Sequence, residues 1–116
     1  MYVVIAGGGR LGARLADSLL MAGHEIFVID TSEVVVGSLR ARLGSIALFG
    51  DATSNIVLTE AGMSRADIFV ASTDDDASNL AACQLAKMHF GVERTVAVAK
   101  DPDSFGIIMG GSGQGE

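Results

Sequence analysis

Tyr2-Val3-Val4-Ile5-Ala6-Gly7-Gly8-Gly9-Arg10-Leu11-Gly12 decides the fold. The first five residues are apolar and rich in β-branching, as in a strand covered on both faces. Gly-x-Gly-x-x-Gly then falls on Gly7, Gly9 and Gly12. Beyond it Leu11, Leu15, Leu19 and Ala22 step by three or four, the period of a helix. Strand, glycine turn and helix form the context in which this spacing receives a pyrophosphate. Gly7 permits the tight turn, Gly9 lets the backbone approach an anion with no Cβ between, and Gly12 lets the helix pack close to the strand. The helix N-terminus adds free N–H groups and the positive end of its dipole. A glycine turn that serves packing alone is the competing reading.

Four more apolar segments follow: Glu25–Asp30, Ser45–Phe49, Asp67–Ser72 and Thr95–Lys100. Helical patterns separate them. Thr31 or Ser32 N-caps a second helix carrying Val35, Val36, Leu39 and Leu43, ended by Gly44. A short third helix holds Ile56, Val57 and Glu60 and ends at Gly62. The fourth carries a stripe of Ala77, Leu80, Ala81, Leu85 and Met88 and ends at Gly91. Strands alternating with helices imply βαβ units with right-handed crossovers. The expected fold is α/β, a doubly wound parallel sheet, Rossmann-like, with strand order 3-2-1-4-5. Residues 1–109 are expected to form this one domain and 110–116 a flexible Gly-rich tail. Pro102 opens a further helix with Phe105, Ile107, Ile108 and Met109 on its apolar side.

Composition excludes several classes. At 116 residues, with 49% apolar and 19% charged residues, the chain is neither disordered nor long enough for separate cofactor and substrate domains. The net charge of −6 and the 5% aromatic content argue against nucleic-acid binding. Cys83 is the single cysteine and His24 and His89 the only histidines, so neither a disulfide framework nor a zinc site is expected. Cys83 reads as an inert core residue and the methionines as core filler. No apolar run approaches the roughly 20 residues of a membrane span, so a cytoplasmic protein without direct membrane insertion is expected.

The chemistry-bearing residues cluster after strands. Asp30 ends the second strand, 18 residues past Gly12. There a carboxylate accepts ribose hydroxyls and repels a 2′-phosphate; capping the next helix is the alternative. Gly50-Asp51-Ala52-Thr53 follows the third strand, either at the ligand edge of the sheet or as a helix-capping turn. Thr73-Asp74-Asp75-Asp76 and Asn79 follow the fourth. These acids suit the first turn of a helix, with Thr73 or Asp74 as cap, better than a magnesium site. Lys100, expected at the end of the fifth strand, meets a phosphate or stays solvated. Arg10 in the glycine loop reaches phosphates or forms a surface ion pair.

Taken in order, GGGRLG, the Val28-Ile29-Asp30 strand end, the GDAT turn and the TDDD loop with Asn79 resemble the N-terminal nucleotide-binding lobe of the RCK family, the regulators of potassium conductance that include the Trk/Ktr uptake regulators. The resemblance covers residues 1 to about 109. It implies a cytoplasmic lobe that binds NAD(H), or alternatively ATP, ADP or AMP, and gates a membrane potassium channel or transporter as a homo-oligomer. It places Gly7, Gly9, Arg10, Leu11 and Gly12 at the phosphates and Asp30 at the ribose. Asp51, Ala52 and Thr53 fall by the adenine, and Thr73, Asp74 and Asn79 along the distal part of the ligand. Lys100 stands where the family often has arginine. The family usually continues with a sixth strand, a crossover helix and a second lobe.

The rival class is an NAD-dependent oxidoreductase or its cofactor-binding half. Against it, Tyr2 is the only tyrosine and lies in the first strand, so a Tyr/Lys dehydrogenase pair is absent. Neither histidine follows a strand end beside the nucleotide loop. No enzymatic activity is expected.

Overall fold

The computed structural model describes residues 1–100. The strands among them are β1 (Tyr2–Ala6), β2 (Glu25–Asp30), β3 (Ala47–Phe49), β4 (Ile68–Ala71) and β5 (Arg94–Ala97). The helices are α1 (Arg10–Met21), α2 (Glu33–Leu43), α3 (Asn55–Glu60) and α4 (Asp76–Met88), with a 3-10 turn at Met63–Arg65. All strand pairings are parallel and the order is β3-β2-β1-β4-β5, as the βαβ reading requires. The expected helix over Phe105, Ile107, Ile108 and Met109, the domain end at 109 and the tail 110–116 lie outside the described residues.

Successive side chains of a strand point to opposite faces. Val3 and Ile5 of β1 therefore join one core with Val28, Val36 and Leu39, while Tyr2, Val4 and Ala6 join the other with Phe69, Ala82 and Ala86. Both faces being covered explains why β1 is buried along its whole length. At its lower end Tyr2 donates its hydroxyl to the Ala61 carbonyl, and the Arg65 guanidinium lies 3.8 Å from the centre of its ring.

The strand ends are shorter than the sequence suggests. β5 stops at Ala97 because its neighbour β4 ends at Ala71, and the last rung runs from Val98 N–H to the Ala71 carbonyl at 2.8 Å. Lys100 thus lies beyond β5, not at its end.

The helix stripes are also displaced. In α4 the buried residues are Asn79, Ala82, Cys83 and Ala86, whereas Met88 is 84% exposed. In α1 they are Gly12 and Ala16, with Leu11 half exposed. In both helices small residues face the sheet, because close helix–sheet approach leaves no room for large ones, and the leucines flank the contact. Of the methionines, Met63 fills core, but Met21 and Met88 each end a helix and stand in solvent.

Candidate functional site

The chain reverses its direction of sheet growth between β1 and β4, where open α/β sheets form a crevice at the strand carboxyl ends. A cleft of about 440 Å³ lies there. Ala6 and Gly7 enter it from β1, Ile29 and Asp30 from β2, Gly50 to Thr53 from β3, and Ser72 to Asp75 from β4.

The glycines divide by task. Gly7 has φ +104°, and a Cβ there would stand 2.7 Å from the Ser72 carbonyl oxygen. A Cβ on Gly12 would stand 1.7 Å from the Gly7 oxygen, so this position is closed to any side chain while α1 keeps its seat. Gly8 is likewise pressed against Leu39 and Val35 of α2, a constraint the sequence motif does not show. Gly9 differs: a Cβ on it would meet nothing within 4 Å. The protein's own packing thus explains Gly7 and Gly12 but not Gly9, which borders the cleft.

Gly9 is also the N-cap of α1, where no side chain caps the helix and no acid occupies the first turn. The N–H groups of Gly9, Arg10, Leu11 and Gly12 have no partner among the described residues. By contrast, Ser32 caps α2 through Val35 N–H at 3.2 Å and Ser54 caps α3 through Val57 N–H at 3.4 Å. Asp75, not Thr73 or Asp74, stands at the N-cap of α4, likewise without a side-chain cap bond, but there Asp76 places an acid in the first turn. The end of α1 is left with free donors and its positive dipole behind Gly9, the one of the four that lines the cleft.

Asp30 ties the glycine loop to α2. Its Oδ2 accepts the Gly8 N–H at 2.7 Å and its Oδ1 the Ser32 N–H at 2.8 Å. Each oxygen keeps a lone pair, so the carboxylate can still accept a hydroxyl from the cleft. Asp51 folds the turn after β3, its Oδ1 accepting both the Thr53 N–H and hydroxyl at 2.8 and 2.7 Å. These two bonds hold its carboxyl below the usual carboxylate range. Ala52 is buried beneath the turn.

Asn79 takes a different part from the one implied by the resemblance. It is fully buried. Its Oδ1 accepts the Thr73 N–H and hydroxyl, and its Nδ2 donates to the carbonyls of Thr73 at 3.0 Å and Val98 at 2.9 Å. Two lone pairs and two N–H bonds are all that an amide side chain has. Asn79 therefore lines the cleft but holds no unused polar group for a ligand.

Of the remaining residues singled out in the sequence, Thr73 and Asp74 line the cleft, whereas Arg10, Leu11, Gly12 and Lys100 do not. Arg10 is exposed, Leu11 is half exposed, and Gly12 lies against Gly7. The Lys100 ammonium pairs with Asp74 at 2.9 Å. Thr31, Ser32, Val35, Ser72, Asp75 and Ser78 also line the cleft and were missed. Thr31 and Ser72 directly follow strands, and Val35 and Ser78 sit one helical turn beyond the caps Ser32 and Asp75. Strand ends plus the helical period would have found them. Cys83 is buried under α4 and its thiol is pushed up to about 12 by burial, so it stays a neutral core group.

Residues 3–110 match the TrkA-N domain model. The chain belongs to the TrkA-N family. The lobe is 37% identical over 103 residues to a Trk system potassium uptake protein TrkA homolog of Methanothermobacter thermautotrophicus, covering 89% of this chain and 47% of that one. It is 36% identical over 102 residues to the Trk system potassium uptake protein TrkA of Streptomyces coelicolor, covering 88% and 46%. The chain thus spans about half the length of these relatives. Among solved structures, the AMP-bound Shewanella denitrificans Kef C-terminal domain superposes with a TM-score of 0.77 at 25% identity, covering 100% of this chain and 72% of that one. The structure of GsuK bound to ADP matches at 0.73 and 26% identity, covering 88% and 26%. This TrkA-N lobe therefore shares its fold with RCK domains and its sequence with proteins of potassium transport. Among its described residues no helix is long and apolar enough to cross a membrane.

Proposed function

We propose that this TrkA-N lobe is the nucleotide-sensing part of a potassium transport system. It binds NAD(H), or alternatively ATP, ADP or AMP, and conveys occupancy to a membrane potassium channel or transporter. It works at the cytoplasmic side, within a homo-oligomer, and does no chemistry on the ligand.

The observation that carries this reading is the uncapped end of α1 behind Gly9. Four unpartnered N–H groups and an absent Cβ make a seat for a diphosphate or monophosphate. The cleft volume falls in the roughly 300–1,000 Å³ range of small-molecule pockets. The rest of the wall suits the uncharged parts of a nucleotide. Asp30, Asp51, Asp74 and Asp75 line it, and carboxylates accept hydroxyls while repelling further phosphate. Phosphates are thereby directed to the glycine loop and ribose hydroxyls to Asp30. Ala6, Ile29, Val35, Ala52 and Ala82 supply the apolar surface a base needs.

The regulatory role rests on the relatives, and the non-enzymatic role on the wall. None of the described residues lining the cleft is His, Cys, Lys or Tyr. Those are the side chains that most often serve hydride transfer to or from a carbonyl as acid or base.

Calorimetric titration of the chain with NAD+, NADH, ATP, ADP, AMP and NADPH tests the reading. At least one of the first five binds with a stoichiometry of one per chain and is recovered unchanged. Failure of all five to bind overturns it, and so does turnover of NADH with carbonyl compounds.

A further inference from the structure

Three bonds join the cleft wall to the segment that leaves the sheet after β5. The buried Asn79 holds the Thr73 backbone with one end and the Val98 carbonyl with the other, at 2.9 Å. The Lys100 N–H donates to Asp76 Oδ1 at 2.9 Å. The Lys100 ammonium pairs with Asp74 Oδ1 at 2.9 Å. Thr73 and Asp74 line the cleft; Val98 and Lys100 do not.

These bonds differ in kind. Asn79 is fully buried and spends every polar atom on the link, so its replacement strands at least the Thr73 N–H and the Val98 carbonyl. The Lys100–Asp74 pair is exposed, at 65% and 95% of the two side chains. Exposed pairs are weak and readily exchanged. A fixed pin therefore sits beside a contact that a ligand can displace.

We propose that Asn79 is a positioning residue that couples the cleft loop 73–76 to the exit segment 98–100, with the Lys100–Asp74 pair as its ligand-sensitive element. A ligand hydroxyl donated to Asp74 competes with Lys100 for the same carboxylate. The segment after β5 then loses its side-chain hold on Asp74 and keeps its bonds to Asn79 and Asp76. Occupancy thus reaches the segment after β5 with no rearrangement of the sheet. The ligand-driven half rests on the nucleotide-binding reading; the mechanical link between the two segments does not.

Hydrogen exchange read by mass spectrometry on the intact chain tests both halves. Without nucleotide, Lys100→Gln and Asn79→Ser should each speed exchange in 73–76 and in 98–100 together. The expected factor is about thirtyfold or more for Asn79→Ser, which leaves two part-buried backbone groups without partners, and less for Lys100→Gln. Loosening of only one segment in the folded Lys100→Gln chain overturns the link, even where Asn79→Ser fails to fold. With saturating NADH or ADP, the wild-type chain should change its exchange in both segments. In Lys100→Gln the change should persist at 73–76 and vanish at 98–100. An unaltered response at 98–100 in that variant overturns the ligand-sensitive role. Absence of binding by calorimetry refutes the nucleotide reading instead, and the nucleotide-free comparison still decides the link.

Discussion

Gly9 and Gly12 lie three residues apart in one motif, yet their replacement should have opposite consequences. At Gly9 a side chain meets no protein atom within 4 Å, and the backbone there is extended, with φ −74°. Gly9→Val therefore leaves the fold intact, at a cost of about 0.5–1 kcal/mol for a poorer N-cap. Its isopropyl group occupies the approach to the free N–H groups of α1. Losing two charge-assisted bonds at roughly 1.5 kcal/mol each removes about 3 kcal/mol of ligand affinity, or more than a hundredfold in Kd. At Gly12 even one methyl collides with the Gly7 oxygen, at 1.7 Å. Gly12→Ala must push α1 off β1, at a cost of about 3 kcal/mol. For a domain of this size that lowers Tm by more than about 10 °C. Calorimetry with NADH and ADP, paired with thermal melts, reads both variants. A folded Gly9→Val chain with wild-type affinity would refute the argument, as would a Gly12→Ala chain that melts like the parent.

Asp30→Ala should orphan the Gly8 and Ser32 N–H groups and cost about 2–4 kcal/mol, read by chemical denaturation, while narrowing any preference for NADH over NADPH in titrations. Tyr2→Phe should leave the Ala61 carbonyl without its buried partner and destabilise by about 1–3 kcal/mol, seen as a lower Tm. Asp51 has a depressed pKa in the folded chain, so its contribution is present above the ordinary carboxylate value and fades as pH falls through the lower folded one. The Thr53 amide resonance, followed by NMR, should therefore shift only in the acid range below about pH 4, and a transition near neutrality would contradict the turn geometry. Cys83, with its thiol pushed up to about 12, should resist a thiol reagent at pH 8 until denaturant is added.

The sheet was legible because β1 carries its signal twice. A run of apolar residues states that both faces are covered, and the glycines after it state where the chain turns. Helix phase was harder to read. In α1 and α4 the largest apolar residues mark the flanks and alanine and glycine mark the contact, so a stripe chosen by hydrophobicity falls about one position off. That shift hid the burial of Asn79, which the resemblance had set along the ligand. Its saturation depends on Val98, 19 residues away across β5, and no local pattern reports such a bond. Asp30 shows the opposite limit. The ribose and capping readings looked exclusive in one dimension, whereas in the structure the carboxylate already bridges Gly8 and Ser32 and keeps lone pairs toward the cleft.

The acidic wall of the cleft has a kinetic consequence. A nucleotide carries negative charge, and this chain carries −6 with four carboxylates lining the cleft. Encounter is therefore uphill until the ligand comes within a turn of α1. Added salt shrinks the reach of the repulsion to about 10 Å at 0.1 M, while the short contacts at the glycine loop feel it little. Association should speed up as ionic strength rises and dissociation should hardly change. That is the reverse of proteins that draw anions along a basic groove, whose capture rates collapse in salt. On the nucleotide-sensing reading, the filling rate of this lobe follows the ionic strength of its surroundings.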